Sequence, residues 1–127
     1  MLLALQVEEN KMDVEKTVAT RLMQDTGIQA YLSVPQDTPD EFMVITQTMR
    51  TGGRFNPTYS LDVDVWGKDE HARSQTHSQA QKVIDAVPNL EEEPNLFTPK
   101  TTNVYRDPDA DTGRMRYTVQ IEVTVCE

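Results

Sequence analysis

Tyr59-Ser60-Leu61-Asp62-Val63-Asp64-Val65-Trp66-Gly67 alternates apolar and polar side chains without a break, and that alternation decides the fold. Successive side chains of a strand point to opposite faces, so Tyr59, Leu61, Val63 and Val65 share one face while Ser60, Asp62, Asp64 and Trp66 share the other. A strand patterned this way belongs to a sheet packed on one side only. Gly67 ends it. Trp66 falls on the face away from the core set, where it is covered either by the chain itself or by a neighbouring subunit.

Upstream, Arg50-Thr51-Gly52-Gly53-Arg54-Phe55-Asn56-Pro57 reads as the long loop of a hairpin. It is preceded by the β-branched run Phe42–Thr48. Before that, Ile28, Ala30, Leu32 and Val34 alternate with polar neighbours until Pro35 stops the ladder, which predicts a strand over 28–34. At 13–26 the period changes. Val14, Val18 and Leu22 recur every fourth residue, with Ala19 and Met23 widening the apolar stripe, so this segment is a helix. Asp13 caps its start and Gly27 supplies the left-handed turn at its end. Residues 1–12 either prolong this helix or fray.

Downstream, Ala72, Thr76, Ala80, Val83, Ile84 and Val87 fall within an arc of about 120° at about 100° per residue, predicting a helix over 69–87. Its small residues Ala72 and Ala80 let it lie close on a sheet, and Pro88 with Glu91-Glu92-Glu93 closes it off. A final hairpin pairs 100–106 with 114–125. In the latter, Met115, Tyr117, Val119, Ile121, Val123 and Val125 alternate with polar residues. The order is α-β-β-β-α-β-β. It predicts an α+β fold, a largely antiparallel sheet of about five strands with both amphipathic helices on one face. The expected core is Val14, Val18, Leu22, Leu61, Val63, Val65, Ala80, Val83, Ile84, Val119, Ile121 and Val123.

No repeat or low-complexity linker divides the 127 residues, so a single domain over 1–127 is expected. With 37% hydrophobic and 26% charged residues the chain can bury one core and is not compositionally disordered. Its longest apolar run, Met1–Leu5, is too short to span a bilayer and lacks a basic flank, so neither membrane insertion nor a secretion signal is expected. The formal charge of −9, from 21 acidic and 12 basic residues, argues against tight DNA binding and against adhesion to anionic membranes. The lone Cys126 excludes a disulfide framework within one chain.

Asp107-Pro108-Asp109-Ala110-Asp111-Thr112-Gly113 begins like a calcium loop, with carboxylates at alternate positions. The glycine comes one position late, Thr118 stands where a bidentate Glu belongs, and strands flank the loop. Pro, Asp and Gly also build tight turns, so Asp107, Asp109 and Asp111 are expected to form an exposed hairpin loop. His71 and His77, six apart, fall on different sides of a helix, whereas a helical metal pair needs a spacing of three or four. No Ser, Cys or Lys nucleophile has a recognisable base in a motif, and Thr51-Gly52-Gly53 lacks the Gly-Lys-Ser/Thr of a phosphate loop. Neither catalysis nor a cofactor is expected. Arg50 and Arg54 flank a flexible tip in an acidic chain, leaving either a plain turn or a contact with an acidic partner.

Taken in order, these residues resemble the tail terminator (tail-completion) family of long-tailed phages and prophages. The likeness runs from the helix ending Thr26-Gly27 through Val34-Pro35, Arg50-Thr51-Gly52-Gly53 and Pro57. It continues with Leu61-Asp62-Val63-Asp64-Val65-Trp66-Gly67, Ala72, the helix end Val83–Val87, Asp107-Pro108 and Arg116-Tyr117, covering about 13–125. Head–tail joining and stopper subunits share the size and can share the fold. The resemblance implies a structural protein of the virion neck, assembled in the host cytoplasm. It implies a homo-oligomeric ring of six that caps the tail tube and meets the head-side connector, with genomic DNA passing through unread. It makes the loop Arg50, Thr51, Gly52, Gly53, Arg54 and Phe55 the candidate interaction site.

Overall fold

Asp13 and Gly27 bracket the first helix as predicted. The computed structural model describes residues 13–53 and 55–126, so the expected extension over 1–12 and Arg54 lie outside the described residues. Helix α1 spans Val14–Thr26. The Asp13 carboxylate accepts the Lys16 N–H at 3.1 Å, and Gly27, at φ 76°, returns its N–H to the Met23 carbonyl. These contacts satisfy backbone groups that a helix end leaves open.

Five strands follow among the described residues: β1 (Ala30–Tyr31), β2 (Phe42–Thr51), β3 (Thr58–Trp66), β4 (Leu96–Arg106) and β5 (Arg116–Val125). They lie in the order β1-β2-β3-β5-β4. All neighbours pair antiparallel except β1, which runs parallel to β2 through Ala30↔Met43 and Tyr31↔Val44. Helix α2 (Arg73–Ala86) joins β3 to a 3-10 helix, Val87–Glu92, that carries Pro88 in its first turn. The architecture is α+β.

Both helices press on one face. Val14, Val18, Ala19 and Leu22 of α1 and Ala80, Val83 and Ala86 of α2 meet Met43, Ile45, Leu61, Val63, Val65, Val119, Ile121 and Val123 in one buried cluster. Leu90 and Leu96 extend it beneath the 3-10 helix. Of the expected core only Ile84 is partly buried, because it sits at the edge of the α2 stripe. Arg21 ties α1 to the 3-10 helix, its guanidinium bonded to Asp25, Glu92 and Glu93. The acidic run therefore packs onto α1.

Several boundaries differ from expectation. The strand predicted over 28–34 is two residues long. After Tyr31 the chain bends away, leaving Leu32 and Val34 46% and 54% exposed. Strand β4 starts at Leu96, not Lys100, and its register shifts twice, between Phe97 and Lys100 and between Thr101 and Asn103. Strand β5 begins at Arg116 rather than 114, and α2 begins at Arg73 because 69–72 form a turn.

That turn depends on Gly67. Its N–H reaches the Met115 carbonyl at 2.8 Å and its own carbonyl accepts Arg114 Nε at 2.7 Å. A Cβ there would overlap Thr76 Oγ1 and lie 3.4 Å from Ala72 Cβ. Thr76 is buried and its hydroxyl is bonded to the Ala72 carbonyl, so it cannot swing aside freely. Gly67→Ala is therefore expected to cost about 1–3 kcal/mol, the usual range for overpacking. Adding Thr76→Ala should recover part of the loss. Urea denaturation of both variants measures this, and an unshifted midpoint for Gly67→Ala would show that α2 yields at little cost.

Candidate functional site

The face of the sheet opposite the helices carries no helix among the described residues, and its surface changes from end to end. At the end near β1, Phe42, Val44 and Trp66 form a small buried cluster, with Tyr31 packed against it. Phe42 and Trp66 stack with centroids 5.4 Å apart, and Tyr31 meets Phe42 edge-on at 6.0 Å. Arg116 lies 4.9 Å over the indole, and Arg114 lies 5.2 Å over the Phe42 ring. Arg114 also donates to the carbonyls of Pro39 and Asp40, which holds the 32–41 segment against the sheet. Trp66 is thus covered by its own chain. Sequence reasoning missed the part played by Arg114, whose partners are backbone groups 47 to 75 residues away.

Next along this face come polar rows. Thr46, Asp62, Gln120 and Asn103 lie side by side across four strands, and Lys100 pairs with Glu122 at 3.4 Å. Burial pushes the Asp64 carboxyl above the usual carboxylate range, opposed by the Thr118 hydroxyl that donates to it at 2.7 Å and by nearby Arg116. Toward the hairpin tip the face turns apolar again, with Met49 56% and Phe97 48% exposed.

The predicted interaction loop sits at this tip. Strand pairing runs to Thr51↔Thr58, so the loop proper is 52–57. Gly52 takes φ 93°, a left-handed conformation that favours glycine, while a Cβ there would meet the Asn56 carbonyl oxygen at an ordinary 3.5 Å. Gly53 has open space around it. Phe55 is 71% exposed. Arg50, one of the two cations flanking the tip, has an internal contact: its Nε donates to the Tyr59 hydroxyl at 3.1 Å and its guanidinium lies over that ring.

The acidic loop is organised by its own donors. Asp107 accepts Arg116 Nη2 at 3.0 Å and Asp109 accepts both the N–H and the hydroxyl of Thr112. Those bonds hold the Asp109 carboxyl below the usual carboxylate range. Asp111 is exposed and makes no hydrogen bond or ion pair among the described residues. No three metal-ligating side chains gather among the described residues. His71 and His77, expected on different sides of a helix, line one hollow with Arg73, Ser74 and Tyr117, because α2 starts two residues after His71.

Among the described residues both long margins of the sheet are open. Strand β4 has no strand beyond it, and β1 covers only Met43 and Val44 of β2. On that second margin the Gln47 N–H finds the Glu15 carboxylate of α1 at 2.7 Å. No described helix is long and apolar enough to cross a membrane. The chain matches no protein-family model and no curated protein.

Proposed function

We propose that the chain is a tail-terminator subunit of a long-tailed phage or prophage, a non-catalytic protein of the virion neck that acts by closing into a ring. One observation supports ring assembly most: among the described residues, two different open margins lie on opposite sides of a sheet whose second face carries no helix. Closing a ring needs a heterologous contact, in which one surface of a subunit meets a different surface of the next. Open strand edges and an exposed loop provide such surfaces. The neck assignment itself rests on the resemblance carried by Arg50-Thr51-Gly52-Gly53 and Leu61–Gly67.

In this role a ring of six copies caps the tail tube and meets the head-side connector, in particles assembled in the host cytoplasm. DNA passes through the ring without being read. A formal charge of −9 per subunit suits that passage, since like charge keeps phosphates from adhering to the wall. The tip residues Met49 and Phe55 supply apolar contact area that folding leaves exposed.

Imaging by negative stain together with native mass spectrometry tests the proposal. Closed rings with a hole wide enough for duplex DNA are expected, and a monomer at every concentration would end it. The paired change Arg50→Ala and Arg54→Ala should weaken the ring while the monomer stays folded. Losing the Arg50–Tyr59 contact should cost the monomer less than about 1 kcal/mol, whereas a desolvated interfacial ion pair is worth about 2–5 kcal/mol when broken. Circular dichroism melting and native mass on the same variant separate the two. Rings of undiminished stability would leave the loop with only a turn's role.

A further inference from the structure

The hollow at the start of α2 is built from donors. Its lining, His71, Arg73, Ser74, His77 and Tyr117, contains no carboxylate, although acids outnumber bases 21 to 12 in the chain. Helix α2 begins without a capping side chain, because Ala72 stands at the cap, and its first turn holds no acidic residue. Its first backbone N–H groups therefore lack the acceptor that a Ser or Asp cap would give them, and the helix dipole adds partial positive charge there. Arg73, Ser74 and His77 follow at helical spacings of three and four, which puts them on one side of the first turn.

An independent observation comes from the sheet below. Tyr117 is only 7% exposed, yet its hydroxyl makes no hydrogen bond among the described residues. Its hydroxyl keeps some contact with solvent, and the side chain lines the hollow. The His77 ring meets the Tyr117 ring edge-on at 5.6 Å and fixes its position. Among the described residues Arg73 has no ion pair and Ser74 no side-chain hydrogen bond. Arg106, the partner of Tyr117 on β4, brings a second guanidinium to the neighbouring strand. Two acids stand close by. Asp69 accepts the His71 N–H, and Glu70 lies 3.3 Å from the His71 ring, the Glu70 and His71 side chains being 71% and 84% exposed.

We propose that this hollow binds a phosphate group, with the open N–H groups of α2, Arg73, Ser74 and the Tyr117 hydroxyl as its donors. The space, about 470 Å³, is far larger than the share of a single water and admits the anion with part of its hydration. A phosphate presents enough oxygens to engage the helix end, the guanidinium fork and both hydroxyls together, which a carboxylate with two oxygens does not. The proposal does not rest on the ring assignment above.

Titration of the full chain with inorganic phosphate at constant ionic strength, followed by amide NMR, tests this. Saturable shifts centred on Arg73, Ser74 and Gln75 are expected, while chloride produces none. Tyr117→Phe should weaken binding about 2- to 10-fold, as for one neutral hydrogen bond, and Arg73→Ala about 10- to 100-fold, as for a charged one. Retained amide spectra show that both variants are folded. A nucleoside monophosphate that competes equally assigns the site to the phosphate group alone, and tighter binding extends it to the attached nucleoside. Acetate binding as strong as phosphate, shifts that never saturate, or affinity untouched by both substitutions would overturn the proposal.

Discussion

Replacing Trp66 with alanine is expected to cost about 3–5 kcal/mol, the range for deleting a buried large aromatic. The side chain is buried, stacks on Phe42 and lies beneath Arg116, so truncation removes area, a ring pair and a cation contact together. The loss should not fall on the sheet alone. Arg114 holds the 32–41 segment by resting on Phe42 and Trp66 while donating to Pro39 and Asp40, and an empty indole site loosens that seat. Trp66→Phe gives the contrasting case. Trp66 Nε1 is buried without an acceptor among the described residues, and such a group costs about 1–3 kcal/mol to bury. Removing the N–H offsets much of the lost area, so Trp66→Phe should stay within about 1.5 kcal/mol of the parent, the range for well-tolerated apolar swaps. Denaturant melts read by circular dichroism compare the two. Equal losses in both variants would show that ring size alone matters and that the unpaired N–H is not a burden.

Ile121→Ala should lose about 2–5 kcal/mol, since it empties a fully buried position in the middle of β5. Ile121 pairs with Leu61 on β3, also fully buried, and sits in the core cluster that both helices join, leaving little room for collapse. Glu122, one residue on, points to the opposite face and pairs with the exposed Lys100. Glu122→Ala should therefore change stability by no more than about 1 kcal/mol. The contrast between adjacent residues tests the period of two directly. Similar losses at both positions, measured by urea denaturation, would mean that the polar face is also packed.

The strands whose sequence alternates strictly were readable, and for one physical reason. In β3 and β5 one face meets the core along the whole length, so every second side chain had to be apolar. Helix α1 was readable to the residue, because Asp13 and Gly27 each do a job few other residues can. The strand at 28–34 misled, since Leu32 and Val34 continue the alternation past the point where the chain bends. Strand β4 hid for the opposite reason: two register shifts and Thr98 at φ 48° break the phase that a reader counts. The hollow at Tyr117 escaped because the helix was started at 69, which put His71 on the wrong side. Nothing local marks the Arg114 clamp, whose acceptors are main-chain carbonyls on two distant segments.

Strand β4 also bears on how the protein behaves when concentrated. A long bare edge ordinarily recruits strands from any chain it meets and seeds ordered aggregates. Here the register breaks, the left-handed Thr98 and Pro99, which has no N–H to offer, interrupt the first half of the edge. Only Asn103–Arg106 keeps an unbroken ladder. A foreign strand laid along those four residues gains few hydrogen bonds and meets no straight continuation, so fibril growth from this edge stalls at its first layer.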